Sequence, residues 1–137
     1  MRIIGLDVGD KRIGIAISDP MGWTAQPHSV LTRKNIEKDL DEILKICKEY
    51  EVNKIIVGLP LNMNGSYGPK ASEITNFSQQ LEEYSKISIE YIDERLTTKS
   101  AERVLIDADI SRKKRKQVID KIAAQNILQI YLDRLNR

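Results

Sequence analysis

The stretch GLDVGDKRIGIAISD, residues 5–19, sets an aspartate inside an apolar run and spaces glycines at positions 5, 9 and 14 around it. RIIGLDVG reads as a strand buried on both sides, and RIGIAISD alternates Ile13, Ile15 and Ile17 with the small Gly14, Ala16 and Ser18. Joined through Gly9 to Arg12, the two predict a β-hairpin. Alternation along a strand puts Leu6 and Val8 on one side and Asp7 on the other. A carboxylate is therefore carried where an uncompensated charge is costly. Either it keeps its proton, or something positive stands beside it.

Working outward, SDPMGWTAQP supplies turn residues, with Trp23 read as packing within the turn, and HSVLTR fits a third short strand. Residues 35–50 predict a helix in which Ile36, Leu40, Ile43, Leu44 and Cys47 recur at helical spacing. KIIVGLP is a continuous apolar strand, and LNMNGSYG a loop. Pro69 suits the first turn of a helix whose core face would be Ile74, Phe77, Leu81 and Tyr84. ISIEYIDE alternates as a strand, TTKSAERVLIDA begins a helix with a threonine cap, and a long helix runs through VIDKIAAQNILQIYLDRL. Three consecutive strands can form an antiparallel meander, whereas the later ones, each preceded by a helix, must join in parallel by crossovers. The expectation is one α/β domain over residues 1–137, a mixed five-stranded sheet of ribonuclease H type flanked by helices.

Composition narrows the function classes. The 137 residues are 41% apolar and 31% charged, which suits a soluble globular domain rather than a disordered or membrane one. No apolar run is long enough to span a bilayer, and MRIIGLDVG turns polar too soon for a signal peptide, so the cytoplasm is expected. Cys47 stands alone, which excludes an internal disulfide and argues for a small core residue. The net charge of +2 is unevenly spread: +2 over residues 1–35, −6 over 36–94 and +6 over 95–137. A basic final third suggests a surface facing a polyanion.

Two further acids pose the question that Asp7 poses. Glu94 ends an apolar strand in YIDER, and Asp120 lies beside Ile119, Ile122 and Ala123 in VIDKIAA. If the first and fifth strands were neighbours and the last helix crossed their ends, Asp7, Glu94 and Asp120 would converge. Three close carboxylates repel unless a cation joins them. An acidic cluster without histidine suits Mg²⁺ or Mn²⁺, and two such ions about 3.5–4 Å apart would serve phosphodiester cleavage. Singly, each acid also has a structural reading: Asp7 could cap amides of the glycine turn, Glu94 could pair with Arg95, and Asp120 could face solvent. Asp10 and Asp93 are spare carboxylates nearby.

Four blocks in order, GLDVGDKRIGIAISD, VGLPLNMNGSYGP, DERLTT with the following AE, and IDKIAAQNILQIYLD, resemble the YqgF family of pre-16S rRNA nucleases, also described as Holliday junction resolvase homologues. The resemblance runs from Gly5 to about Asp133. It implies a ribonuclease H-like fold, an acidic triad at Asp7, Glu94 and Asp120 with divalent metal, and a role in maturing the 5′ end of 16S rRNA during ribosome biogenesis.

For holding nucleic acid, the run RKKRK at 112–116 offers Lys113, Lys114, Arg115 and Lys116 ahead of Asp120, and Lys11, Arg12, Lys70 and Arg95 lie near the motif acids. Such cations bind phosphate without reading sequence. Asn64 in the LNMNGSYGP loop could meet a phosphate or base, whereas 5% aromatic residues give poor support for a stacking platform. Expected partners are pre-16S rRNA first and branched DNA second, with a second copy of the chain and a ribosomal partner as further candidates and no membrane. Competing readings are a Holliday junction resolvase, a non-catalytic nucleic-acid-binding module, and a sugar kinase or actin-like ATPase, which would need a second such domain.

Overall fold

A computed structural model of the chain describes residues 2–96 and 112–137. The helix expected over TTKSAERVLIDA falls outside these residues. The described elements are β1 (Arg2–Val8), β2 (Arg12–Ser18), β3 (Ala25–Thr32), α1 (Ile36–Glu49), β4 (Val52–Leu59), α2 (Pro69–Ser85), β5 (Ser88–Asp93), a 3-10 turn (Glu94–Leu96) and the last helix, here α3 (Arg112–Leu135). Among them, no helix is long and apolar enough to cross a membrane.

The strands form one sheet in the order β3-β2-β1-β4-β5, with β1–β2 and β2–β3 antiparallel and β1–β4 and β4–β5 parallel. This is the mixed five-stranded sheet the element order predicts. One part of the expectation is overturned: β1 and β5 are not neighbours, because β4 lies between them. A crossover through α1 brings β4 in parallel beside β1, and the next crossover, through α2, adds β5 outside it.

Strand alternation sorts the side chains into two layers. Ile4, Leu6, Val8, Ile13, Ile15, Ile17, Ile55 and Val57 face α1 and α2, where they meet Leu40, Ile43, Cys47, Ile74, Phe77 and Leu81. Removing each such side chain from water contributes about 1.5–3 kcal/mol. Asn35 caps α1 by accepting from the Lys38 amide, and Pro69 opens α2 at its first turn. Tyr84, expected in the core, is instead 46% exposed. Its hydroxyl donates to Asp41 of α1, so its polar end holds the ring at the rim. Trp23 is likewise 57% exposed rather than packed in its turn.

The opposite face sets Gly5, Ala16 and Ala25 beside Ile56 and Ile92, and α3 covers it with Ala123, Ala124, Ile127, Leu128 and Leu132. A side chain at Gly5 would place its Cβ 2.7 Å from the Leu128 Cβ, so glycine lets this helix lie directly on the sheet. Gln129 and Gln125 fasten α3 to the start of β3: the Ala25 amide donates to Gln129 Oε1 at 2.9 Å, and Gln125 Nε2 donates to the Ala25 carbonyl at 3.1 Å.

Candidate active site

Asp7 lies on the α3 face of β1, one residue from the strand's end. Its cross-strand partner on β2 is Gly14. On the other side, one step beyond the Leu6–Val57 pair, stands Gly58 of β4. Both neighbours lack side chains, and through these two openings the other motif acids approach. A Cβ at Gly14 would run into the backbone carbonyl of Asp120, so α3 rests on bare backbone there. A Cβ at Gly58 would stand 3.5 Å from the Glu94 carboxyl carbon and would also strike the end of Ile127. Glu94 therefore reaches Asp7 across β4 although β5 is not adjacent to β1. The convergence expected from strand adjacency arises instead from a missing side chain on the intervening strand.

The electrostatics follow from this crowding. Burial raises the Asp7 carboxyl from the usual carboxylate range to about 9; a hydrogen bond to Glu94 and the negative charges of Glu94 and Asp120 push the same way, while Lys70 pulls it down. Burial and these neighbours thus favour the protonated form of Asp7, which is hydrogen-bonded to Glu94. Asp120 is differently engaged: its Oδ2 accepts from Arg12 Nε at 2.7 Å. Among the described residues, no three acid, histidine or cysteine side chains are grouped so as to hold a metal ion as they stand. Asp7 and Glu94 meet directly, and Asp120 is felt by Asp7 while its carboxylate is bonded to arginine.

The donor set fits a hard divalent ion. Two carboxyls that share one proton, with a third in electrostatic range, present oxygen ligands only, and a cation could take the place of the shared proton. Asp7, Glu94 and, once turned from Arg12, Asp120 are the residues that would hold it.

The expected phosphate-binding residues divide by what already engages them. Lys11, Arg12 and Lys116 line one cavity of about 260 Å³ together with Thr32 and Gln117. Lys114 is exposed and Arg115 half-buried on α3, while the Lys113 side chain lies outside the described residues. Lys70 pairs with Asp10, holding the Asp10 carboxyl below its usual range. Arg95 pairs with Asp93 rather than Glu94; its Nε donates to Asp93 at 2.9 Å and its Nη1 to the Met63 carbonyl at 3.0 Å. Arg95 therefore braces the loop after β4. Within that loop Asn64 Oδ1 accepts from the Ser66 amide at 3.0 Å and from its hydroxyl. Pro60, Leu61, Glu94 and Arg95 line a second cavity of about 200 Å³ at this end of the sheet.

Sequence reasoning did not single out Gly58, Thr32, Gln117 or Asp39. Asp39 is 2% exposed and accepts from Arg33 Nε at 3.2 Å and from the Lys34 amide at 3.0 Å. Arg33 in turn donates to the Gly9 carbonyl at 2.9 Å, bracing the turn that follows Asp7. The glycines were legible as small positions, but their purpose depends on partners distant in the chain.

Comparison with known proteins places this geometry. Residues 1–134 match the family described as "RuvX: Holliday junction resolvase". A protein of Syntrophomonas wolfei named "Putative pre-16S rRNA nuclease" is 62% identical over 97% of this chain and 94% of its own length. One of the same name from Natranaerobius thermophilus is 54% identical over 98% of this chain and 95% of its own. Among solved structures, T. thermophilus RuvC in complex with a Holliday junction substrate superposes over 99% of this chain and 96% of its own, with a TM-score of 0.63 at 10% identity. The fowlpox virus resolvase in complex with Holliday junction DNA gives 0.62 at 17% identity, covering 100% of both chains. The fold is thus the ribonuclease H-like one that the element order predicts.

Proposed function

The chain belongs to the RuvX family, and from that premise we propose that it is a divalent-metal-dependent endonuclease that hydrolyses phosphodiester bonds in the 5′-end maturation of 16S rRNA. The observation that carries this reading is the Asp7–Glu94 carboxyl pair, with Asp7 flanked by Gly14 and Gly58 on the sheet and Asp120 in electrostatic range. The names of the relatives at 62% and 54% identity support the RNA substrate.

Each side chain has a task in this chemistry. Asp7 sits on the central strand and fixes the position of the site. Glu94, at the first residue of the 3-10 turn, comes from the opposite side of Gly58 and completes the pair. Bound at these carboxylates, Mg²⁺ or Mn²⁺ would supply Lewis acidity toward the scissile phosphate and acidify water. Lys11, Arg12 and Lys116 would seat a backbone phosphate next to the carboxylates, giving affinity without base readout. The Asp93–Arg95 pair keeps the loop after β4 in place beside Glu94.

The test sets a precursor 16S rRNA 5′ segment beside a synthetic four-way DNA junction, each with Mg²⁺, Mn²⁺ or EDTA, using wild type and Asp7→Asn. The expected result is metal-dependent cleavage of the RNA, lost in the variant. Cleavage of the junction alone would replace the RNA reading with a resolvase, the activity in the family's description. Binding of both without cleavage would indicate a non-catalytic module or a requirement for a ribosomal partner.

A further inference from the structure

Asp120 arrives at the site already bonded to another group. Arg12, the first residue of β2, donates from Nε to Asp120 Oδ2 at 2.7 Å, and the two side chains are only 31% and 20% exposed. Arg12 also lines the 260 Å³ cavity shared with Lys11, Thr32, Lys116 and Gln117. Three basic residues, a threonine and a glutamine line that space, and among the described residues none of its lining is acidic. Arg12 thus stands between two anion positions, the Asp120 carboxylate and whatever enters the cavity.

We propose that Arg12 is a positioning residue that couples substrate to metal: it holds Asp120 aside until a backbone phosphate in the cavity draws the guanidinium away and frees the carboxylate for a divalent ion. The proposal rests on the metal reading above. A guanidinium suits both partners, since its fork matches carboxylate and phosphate alike. The exchange replaces one charge-assisted pair with another, so neither Arg12 nor Asp120 is left buried and unpaired at the end. Lys11 and Lys116 hold positive potential in the cavity and favour the phosphate side of the exchange. Because coupling is reciprocal, metal and phosphate should each raise the other's affinity by the same factor.

Titration calorimetry with Mn²⁺ tests this, with and without dimethyl phosphate as a phosphodiester probe and sodium chloride as the ionic-strength control. Thermal melts establish that each variant is folded. Without the probe, Arg12→Gln should bind Mn²⁺ at least about tenfold more tightly than wild type, because Asp120 no longer has a charge-assisted partner to lose. Dimethyl phosphate should tighten Mn²⁺ binding to wild type and leave Arg12→Gln unmoved. Lys11→Gln, which removes a cavity charge and keeps the Arg12–Asp120 pair, should lose most of the enhancement. Mn²⁺ binding that Asp7→Asn abolishes but that Arg12→Gln weakens or leaves unchanged would overturn the coupling and spare the metal site. Absence of Mn²⁺ binding in wild type and Arg12→Gln alike would overturn the metal reading and the coupling with it.

Discussion

The protonated Asp7 makes a prediction about the metal-free protein that needs no substrate. In the folded chain its carboxyl is raised from 3.8 to about 9, chiefly by burial and then by Glu94. The unfolded chain releases that proton near pH 4, so between about pH 4 and 9 folding takes a proton up. Stability therefore falls as pH rises, by about 1.4 kcal/mol per unit for this group. From pH 5 to pH 8 the loss amounts to about 4 kcal/mol. Asp7→Asn removes the titration and keeps a donor toward Glu94, since an amide N–H can replace the acid O–H. Groups away from the site are common to both proteins, so the difference between their pH profiles reports the coupled Asp7–Glu94 pair. The variant should gain on wild type by about 4 kcal/mol across that range, or about 14 °C in Tm for a chain of this size. Urea and thermal denaturation in EDTA, followed by circular dichroism at pH 5, 6, 7 and 8, would measure it. Adding Mn²⁺ at pH 8 should restore wild type and leave the variant unchanged. Parallel pH profiles would refute the reasoning, because they would mean that Asp7 ionises in the folded chain without cost.

Gly14→Ala should destabilise the fold by about 1–3 kcal/mol or more, since the new Cβ meets the Asp120 backbone rather than a movable side chain; a urea midpoint at the wild-type value would contradict this. Asp39→Ala removes the buried acceptor of the half-buried Arg33 and of the Lys34 amide and should cost about 1–3 kcal/mol, a loss read from chemical denaturation and checked against the smaller loss expected of Asp39→Asn. Cys47, 2% exposed and with its thiol pushed up to about 11 by burial, should resist a disulfide reagent in the native protein at pH 8 and react upon unfolding. Native labelling at the rate of a free thiol would show that α1 opens readily.

What the sequence made legible was whatever depends on local period. The Ile13, Ile15, Ile17 alternation, the Pro69 helix start and the crossover-linked strands all appear where expected. Strand order was not legible, because the β1–β4 and β4–β5 pairings are set by how crossovers add to a sheet rather than by residues within the strands. The partners of the ions were legible only over short spans. Arg95 with Asp93 is two residues apart, no closer in sequence than the Arg95–Glu94 alternative that the sequence also allowed. Arg12 with Asp120, 108 residues apart, could not have been found without the fold.

The site itself lies between these extremes. Its acids stood out as charges in apolar surroundings, yet what brings them together is the absence of side chains at Gly14 and Gly58, the positions flanking Asp7 on either strand. Gly5, two residues earlier on the same face, has Ala124 and Leu128 as its nearest neighbours, so it serves contact between helix and sheet. The three glycines look alike in sequence and differ in what approaches them: an apolar helix face at Gly5, the backbone of Asp120 at Gly14, and Ile127 with Glu94 at Gly58. A glycine costs up to about 1 kcal/mol in a strand relative to a residue with a side chain, and at positions 14 and 58 this cost admits carboxylates from two distant elements to the flanks of a third. Substitution there should therefore separate stability from function: Gly58→Ala meets mainly a flexible isoleucine end and should leave the fold standing, but by crowding Glu94 it should weaken Mn²⁺ binding more than it lowers the melting temperature.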